Sequence, residues 1–116
     1  MSENPVAPLQ TVLAALADPV RLEMVRRLHT EQAPVACAAL YNGVTKATAS
    51  HHFKVLREAG ITRRADDGAH SKQELRFDDV ERAYPGLLLS VLSAAERQAD
   101  PDRTVVSAAR SESAMR

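Results

Sequence analysis

Turn-forming residues divide this chain into short pieces, with breaks at Asp18-Pro19, Asn42-Gly43, Gly60, Asp67-Gly68, Pro85-Gly86 and Asp100-Pro101. Each break opens a helix, ends one or tolerates positive φ, so the fold has to be assembled from several short elements. Between breaks, apolar residues recur at helical spacing. Leu9, Val12, Leu13 and Leu16 mark a first helix. Asp18 as N-cap and Pro19 at the first helical position open a second, which carries Leu22, Val25 and Leu28 on one face and ends near Thr30. The apolar run over residues 35–41 after Pro34 predicts a short third helix. Thr45 caps a fourth helix to about Ala59, with Gly60 as its left-handed stop; Ala49, Phe53 and Leu56 form its buried stripe, and its other face is polar. Residues 61–64 and 73–77 predict a two-stranded ribbon about the Asp67-Gly68 turn. Asp78 and Glu81 have the spacing of a capping box. After the break at Pro85-Gly86, a last helix over 85–98 carries Leu88, Val91, Leu92 and Ala95 on one side and Leu87 and Leu89 elsewhere.

At 116 residues with 45% apolar side chains, the chain predicts one domain with a real core. Two tyrosines, two phenylalanines and no tryptophan mean that leucine, valine and alanine build that core, which suits packed helices and argues against an aromatic platform for single strands. The domain is expected over 9–98, between a flexible lead-in at 1–8 and a disordered tail at 99–116 that is rich in Ser, Ala and Arg. A lone Cys37 excludes an intrachain disulfide and a four-cysteine zinc site. Without a leader-like start or an apolar run near the ~20 residues of a membrane span, the expected location is the cytoplasm, with no membrane partner. An enzyme is not expected: there is no glycine-rich phosphate loop, no His-Glu-x-x-His and no nucleophile with a base beside it. No cofactor is expected either.

Formal net charge is zero, yet its distribution is uneven. From Tyr41 to Phe77 there are seven cations (Lys46, Lys54, Arg57, Arg63, Arg64, Lys72, Arg76) against four acids (Glu58, Asp66, Asp67, Glu74). Six acids face two arginines between Asp78 and Asp102. A mainly α chain with this element order and a small β-hairpin is a winged helix-turn-helix, whose fourth helix would enter a DNA major groove. The segment Ala14-Ala15-Leu16-Ala17-Asp18-Pro19-Val20-Arg21-Leu22 and the block from Ala49-Ser50-His51-His52-Phe53 through Lys54-Val55-Leu56-Arg57-Glu58-Ala59-Gly60-Ile61 closely resemble the ArsR-type (arsenic repressor) winged-helix regulators. The resemblance covers roughly Leu9 to Leu92. It implies a homodimeric transcriptional repressor that holds an inverted-repeat operator in double-stranded DNA and releases it when an effector binds.

Carried over by position, Thr45, Lys46, Ala47, Thr48, Ser50, His51 and His52 are the expected recognition residues, with Lys54, Arg57, Arg63, Arg64 and Lys72 expected on the backbone. The acidic wing tip, Asp66-Asp67, departs from the family's basic or aromatic wing. The family's Cys-x-Cys pair is replaced by Ala36 and Ala38, and no histidine follows His70 to build its Asp-His-Glu site in the last helix. Neither of the family's metal sites is therefore expected, and a small-molecule effector, a protein effector and a metal site of another kind all stay open. Cys37, flanked by alanines, is expected to be a small buried hydrophobe, the alternative being a redox sensor, which needs an exposed, electropositive setting. Apolar faces on the first and last helices place a dimer interface at Leu9, Val12, Leu13, Leu16, Leu88, Val91, Leu92 and Ala95. The alternative is a winged-helix module that binds another protein and has little DNA affinity of its own.

Overall fold

The computed structural model describes residues 4–99. Helix α1 spans Leu9–Ala17 and α2 spans Pro19–Glu31, so Asp18 alone joins them. Its extended backbone ends α1, while its carboxylate accepts from the Val20 and Arg21 N–H groups at 2.9 and 3.0 Å. With Pro19 following, the sequence sets this corner locally. α2 stops at Gln32, which turns left-handed (φ 53°) and donates its N–H to the Leu28 carbonyl.

Strand β1 (Val35–Ala36) and one 3-10 turn (Cys37–Ala39) occupy the place of the expected third helix. An apolar run this short carries no period, and pairing decides it. Val35 lies opposite Gln73 and Ala36 opposite Lys72, which covers one edge of the wing. The predicted two-stranded ribbon is consequently a three-stranded antiparallel sheet of order β1-β3-β2, with β2 at Thr62–Arg64 and β3 at Lys72–Leu75. Thr62 pairs with Leu75 and Arg64 with Gln73. Helix α3, the expected fourth helix, spans Lys46–Glu58.

Phe77 opens α4 (Phe77–Ala83) and does not extend the strand. Asp78 therefore caps nothing, and the expected capping box is absent. Glu81 turns the other way: its carboxylate accepts from the Gly86 and Leu88 N–H groups at 2.8 and 3.0 Å, satisfying donors at the start of α5 (Leu87–Ala99).

The core joins every layer: Val12 and Leu16 of α1, Met24, Val25 and Leu28 of α2, Phe53 and Leu56 of α3, Val80 of α4, and Leu88 and Leu92 of α5. The lead-in is not loose over 4–8. Ala7 N–H donates to the Ala59 carbonyl, the Asn4 side chain donates to the Arg57 carbonyl, and Tyr84 Oη donates to the Ala7 carbonyl at 2.7 Å. Gly60 makes room for it. A Cβ there would lie 2.6 Å from the Pro5 carbonyl oxygen and from Val6 Cα, and φ is +79°. The expected tail over 99–116 lies, beyond Ala99, outside the described residues.

Candidate nucleic-acid interface

Thr45 starts the recognition helix. Its Oγ1 accepts from the Thr48 N–H at 3.1 Å and donates to Thr48 Oγ1 at 3.0 Å, so this hydroxyl is committed to the helix end. Thr48 keeps its own hydroxyl hydrogen for an outside acceptor. Ala49, Phe53 and Leu56 face the core as the spacing requires. Lys46, Ala47, Ser50, His51 and Lys54 lie exposed on the opposite side, where four-residue steps set 46, 50 and 54 in one row and 47 and 51 in the next. These are a cation, a methyl, a hydroxyl, an imidazole and a second cation: groups able to reach base edges and phosphates together.

His52 does not join them. It is 9% exposed, on the core side of α3, beside the start of α2. Arg21 Nη1 lies 2.9 Å from His52 Nδ1. Because a guanidinium only donates, Nδ1 is the acceptor and the ring is neutral with its hydrogen on Nε2, which lies 3.8 Å from Asp18 Oδ2. Arg21 also donates through Nε to the Ala15 carbonyl at 2.7 Å and through Nη2 to the Ala14 carbonyl at 3.4 Å. One guanidinium thus ties the end of α1 and the recognition helix to α2. Burial would raise the Asp18 carboxyl, but the Arg21 N–H, the Arg21 guanidinium and the Val20 N–H outweigh it and hold it below its ordinary value. Sequence reading missed Arg21 as a positioning residue, although it stands in the Asp18-Pro19-Val20-Arg21 string.

The wing cations are compensated. Arg63 Nε lies 3.0 Å from Glu74, Arg64 Nε 3.6 Å from Asp66, and Lys72 Nζ 3.6 Å from Asp67. Arg76, counted in the basic segment, is 7% exposed and binds Asp79 and the Asn4 carbonyl. Lys46, Lys54 and Arg57 form no ion pair among the described residues. The uncompensated charge therefore sits on α3. At the wing tip, Asp67 and His70 exchange two backbone hydrogen bonds of 2.9 Å around Gly68.

Cys37 also departs from expectation. It is half-buried rather than sealed in an apolar helix, because residue 37 opens the 3-10 turn beside β3. Among the described residues, no three His, Cys, Asp or Glu side chains are placed to share a metal ion, and no helix is long and apolar enough to cross a membrane.

The expected dimer residues divide by burial. Val12, Leu16, Leu88, Leu92 and Ala95 lie in the protomer's own core with almost no surface left, and Val91 is half-buried. Leu9 and Leu13 of α1 remain 40% and 42% exposed, joined by Leu89 of α5 at 47%, a residue outside the predicted stripe.

The helix-turn-helix domain family matches residues 16–65. An uncharacterized HTH-type transcriptional regulator of Bacillus subtilis (strain 168), YceK, is 35% identical over 79 residues, or 66% of this chain and 79% of the relative. Among solved structures, the homodimeric winged helix-turn-helix DNA-binding domain Mb0332 of Mycobacterium bovis, a candidate ArsR-family regulator, superposes with TM-score 0.60 at 25% identity, covering 77% of this chain and 79% of its own. The transcriptional repressor BigR of Xylella fastidiosa matches at TM-score 0.50 and 28% identity, over 58% of this chain and 68% of its own.

Proposed function

The chain belongs to the ArsR-type winged helix-turn-helix transcriptional regulators, and from that premise we propose that it acts as a homodimeric repressor on a near-palindromic DNA site. DNA-binding regulation is the family's activity, which favours this reading over a protein-docking module. The observation that carries the assignment of the surface is the exposed face of α3, whose Lys46 and Lys54, with the half-buried Arg57 beyond them, have no carboxylate partner among the described residues. Lys46, Ala47, Thr48, Ser50 and His51 meet base edges in the major groove, and Lys54 and Arg57 meet phosphates. Thr45 and His52 leave the set of readers: one is a cap and the other a core pin. Arg63, Arg64 and Lys72 contact the backbone only where a phosphate displaces their acidic partners.

Two copies pair through the exposed leucines Leu9, Leu13 and Leu89, a reading supported by the homodimeric relative. Paired recognition helices about one DNA turn apart, ~34 Å, then demand half-sites at that spacing. A small-molecule or protein effector releases the DNA without the family's Cys-x-Cys ligands, since Ala36 and Ala38 stand there.

Duplexes selected from a random pool and titrated at two salt concentrations test the reading. Thr48→Ala or His51→Ala is expected to weaken the selected site by roughly 1–3 kcal/mol and relax discrimination at one base pair per half-site. Lys54→Ala or Arg57→Ala instead weakens all sequences alike and lowers the salt slope by about one for each phosphate no longer met. Unchanged affinity and specificity in both recognition variants refutes α3 as the reader.

A further inference from the structure

A cavity of about 260 Å³ opens between the end of α2, the far end of β3 and the first turn of α4, and it shares no residue with the α3 face assigned to DNA. Leu28, Leu75 and Phe77 make its apolar side, with the Phe77 ring packed against that of His29 at 5.3 Å between centroids. Glu74 and Asp78 bring two carboxylates, and no lysine or arginine lines it. Glu74 is engaged by Arg63 Nε at 3.0 Å, whereas the exposed Asp78 carboxylate has no ion pair or side-chain hydrogen bond among the described residues. The C-terminal end of α2 also meets the cavity, and its last carbonyls and dipole carry partial negative charge. An apolar floor under negative potential is what a cation with a hydrocarbon body requires. The body displaces water from Leu28, Leu75 and Phe77, the charge lies against the carboxylates, and the aromatic faces attract it further. A metal ion does not fit the same place, because no three His, Cys, Asp or Glu side chains among the described residues are placed to hold one. The volume lies below the ~300 Å³ at which pockets for drug-sized ligands begin, so it admits one ring or a short branched chain with an amine arm.

We propose that this cavity is the effector site and that the effector is a small primary amine, protonated at neutral pH, on a single ring or a branched alkyl group. The ammonium donates to the Asp78 carboxylate and competes with Arg63 for Glu74. Glu74 and Arg63 lie opposite each other in the β3–β2 pair, and Arg64, next on β2, lines the groove between α3 and the wing. Drawing Glu74 away from Arg63 disturbs the strand pair that sets the wing against α3, so DNA affinity falls when the amine is bound.

The effector role rests on the DNA reading above, and the test separates the two. Full-length protein is titrated calorimetrically with phenethylamine, with phenethyl alcohol as a neutral probe of the same shape and phenylacetate as an anionic one. Wild type is compared with Asp78→Asn, which removes one charge at an exposed position, and with Ala33→Leu, which fills the cavity from its exposed rim. Saturable binding of the amine at about 1 mM or below is expected, with the alcohol at least about tenfold weaker and no binding of phenylacetate. Asp78→Asn is expected to weaken the amine at least about fivefold and leave the alcohol unchanged, and Ala33→Leu to abolish both. No saturable binding of the amine, equal binding of amine and alcohol, or amine binding unchanged in both variants overturns the site. At saturating amine a labelled duplex is expected to bind at least about threefold more weakly, an effect absent in Ala33→Leu, which controls for the amine acting as salt. Unchanged DNA affinity at saturation overturns the effector role. Failure of the amine-free protein to bind any duplex refutes the DNA reading, with calorimetry still judging the cavity.

Discussion

Removing the Arg21 guanidinium should loosen the recognition helix as well as the corner it spans. In Arg21→Met the hydrocarbon stem is kept, but the bonds to the Ala15 carbonyl (2.7 Å) and His52 Nδ1 (2.9 Å) vanish. Counting those two at about 1.5 kcal/mol each, as bonds from a charged donor, gives a loss of about 3 kcal/mol; the 3.4 Å contact to Ala14 is given no weight. In a domain this size that loss lowers Tm by more than about 10 °C. Urea unfolding of Arg21→Met, His52→Leu and the double variant isolates the pair, with an expected coupling of about 1–2 kcal/mol. Coupling under about 0.5 kcal/mol would refute the clamp.

Gly60→Ala, strained by positive φ and by a Cβ 2.6 Å from Pro5 and Val6 backbone atoms, is expected to lose at least about 2 kcal/mol in urea unfolding and free residues 4–8 to proteolysis. The Arg26 hydrogen bond, aided by Arg27 and opposed by burial, holds the Glu23 carboxyl at about 2, below its ordinary value of 4.5. A depressed carboxyl stabilises the fold above its unfolded value and loses that contribution as pH falls from 4.5 through about 2. Glu23→Gln should therefore be less stable at neutral pH, by about 1 kcal/mol after solvent screening, and match wild type at the acid end of that window. Asp66→Asn with Asp67→Asn frees Arg64 and Lys72, so DNA affinity and salt slope are both expected to rise, the slope by up to about one per released cation in each protomer. A salt titration showing no change would mean the wing never reaches phosphate.

What could be read from the sequence was what neighbours in the chain decide. The Asp18-Pro19 corner, the Thr45 cap, the Gly60 stop and the stripe Ala49-Phe53-Leu56 each follow from residues within one helical turn. What could not be read depends on partners far away. Val35 becomes a strand residue because Gln73 lies opposite it, 38 positions on. His52 looks like a groove-facing neighbour of His51, yet one helical step turns it 100° toward Arg21, 31 residues earlier. The lead-in looks free in sequence because nothing in residues 4–8 forecasts the Ala59 carbonyl or Tyr84 as partners.

Compensation in the wing carries this further. A count of charges along the chain gives the basic segment a surplus spread over helix and hairpin, whereas the ion pairs of Arg63, Arg64, Lys72 and Arg76 confine the uncompensated cations to Lys46, Lys54 and Arg57. On the proposed reading, attraction to DNA acts mainly through α3, and its pose sets how many phosphates are met at once. That pose is held at its middle by Arg21 through His52 and at its C-terminal end by the Gly60 stop locked under residues 5 and 6. If α3 is the reader as proposed, a change that shifts either anchor is expected to alter DNA affinity without touching a base-reading residue.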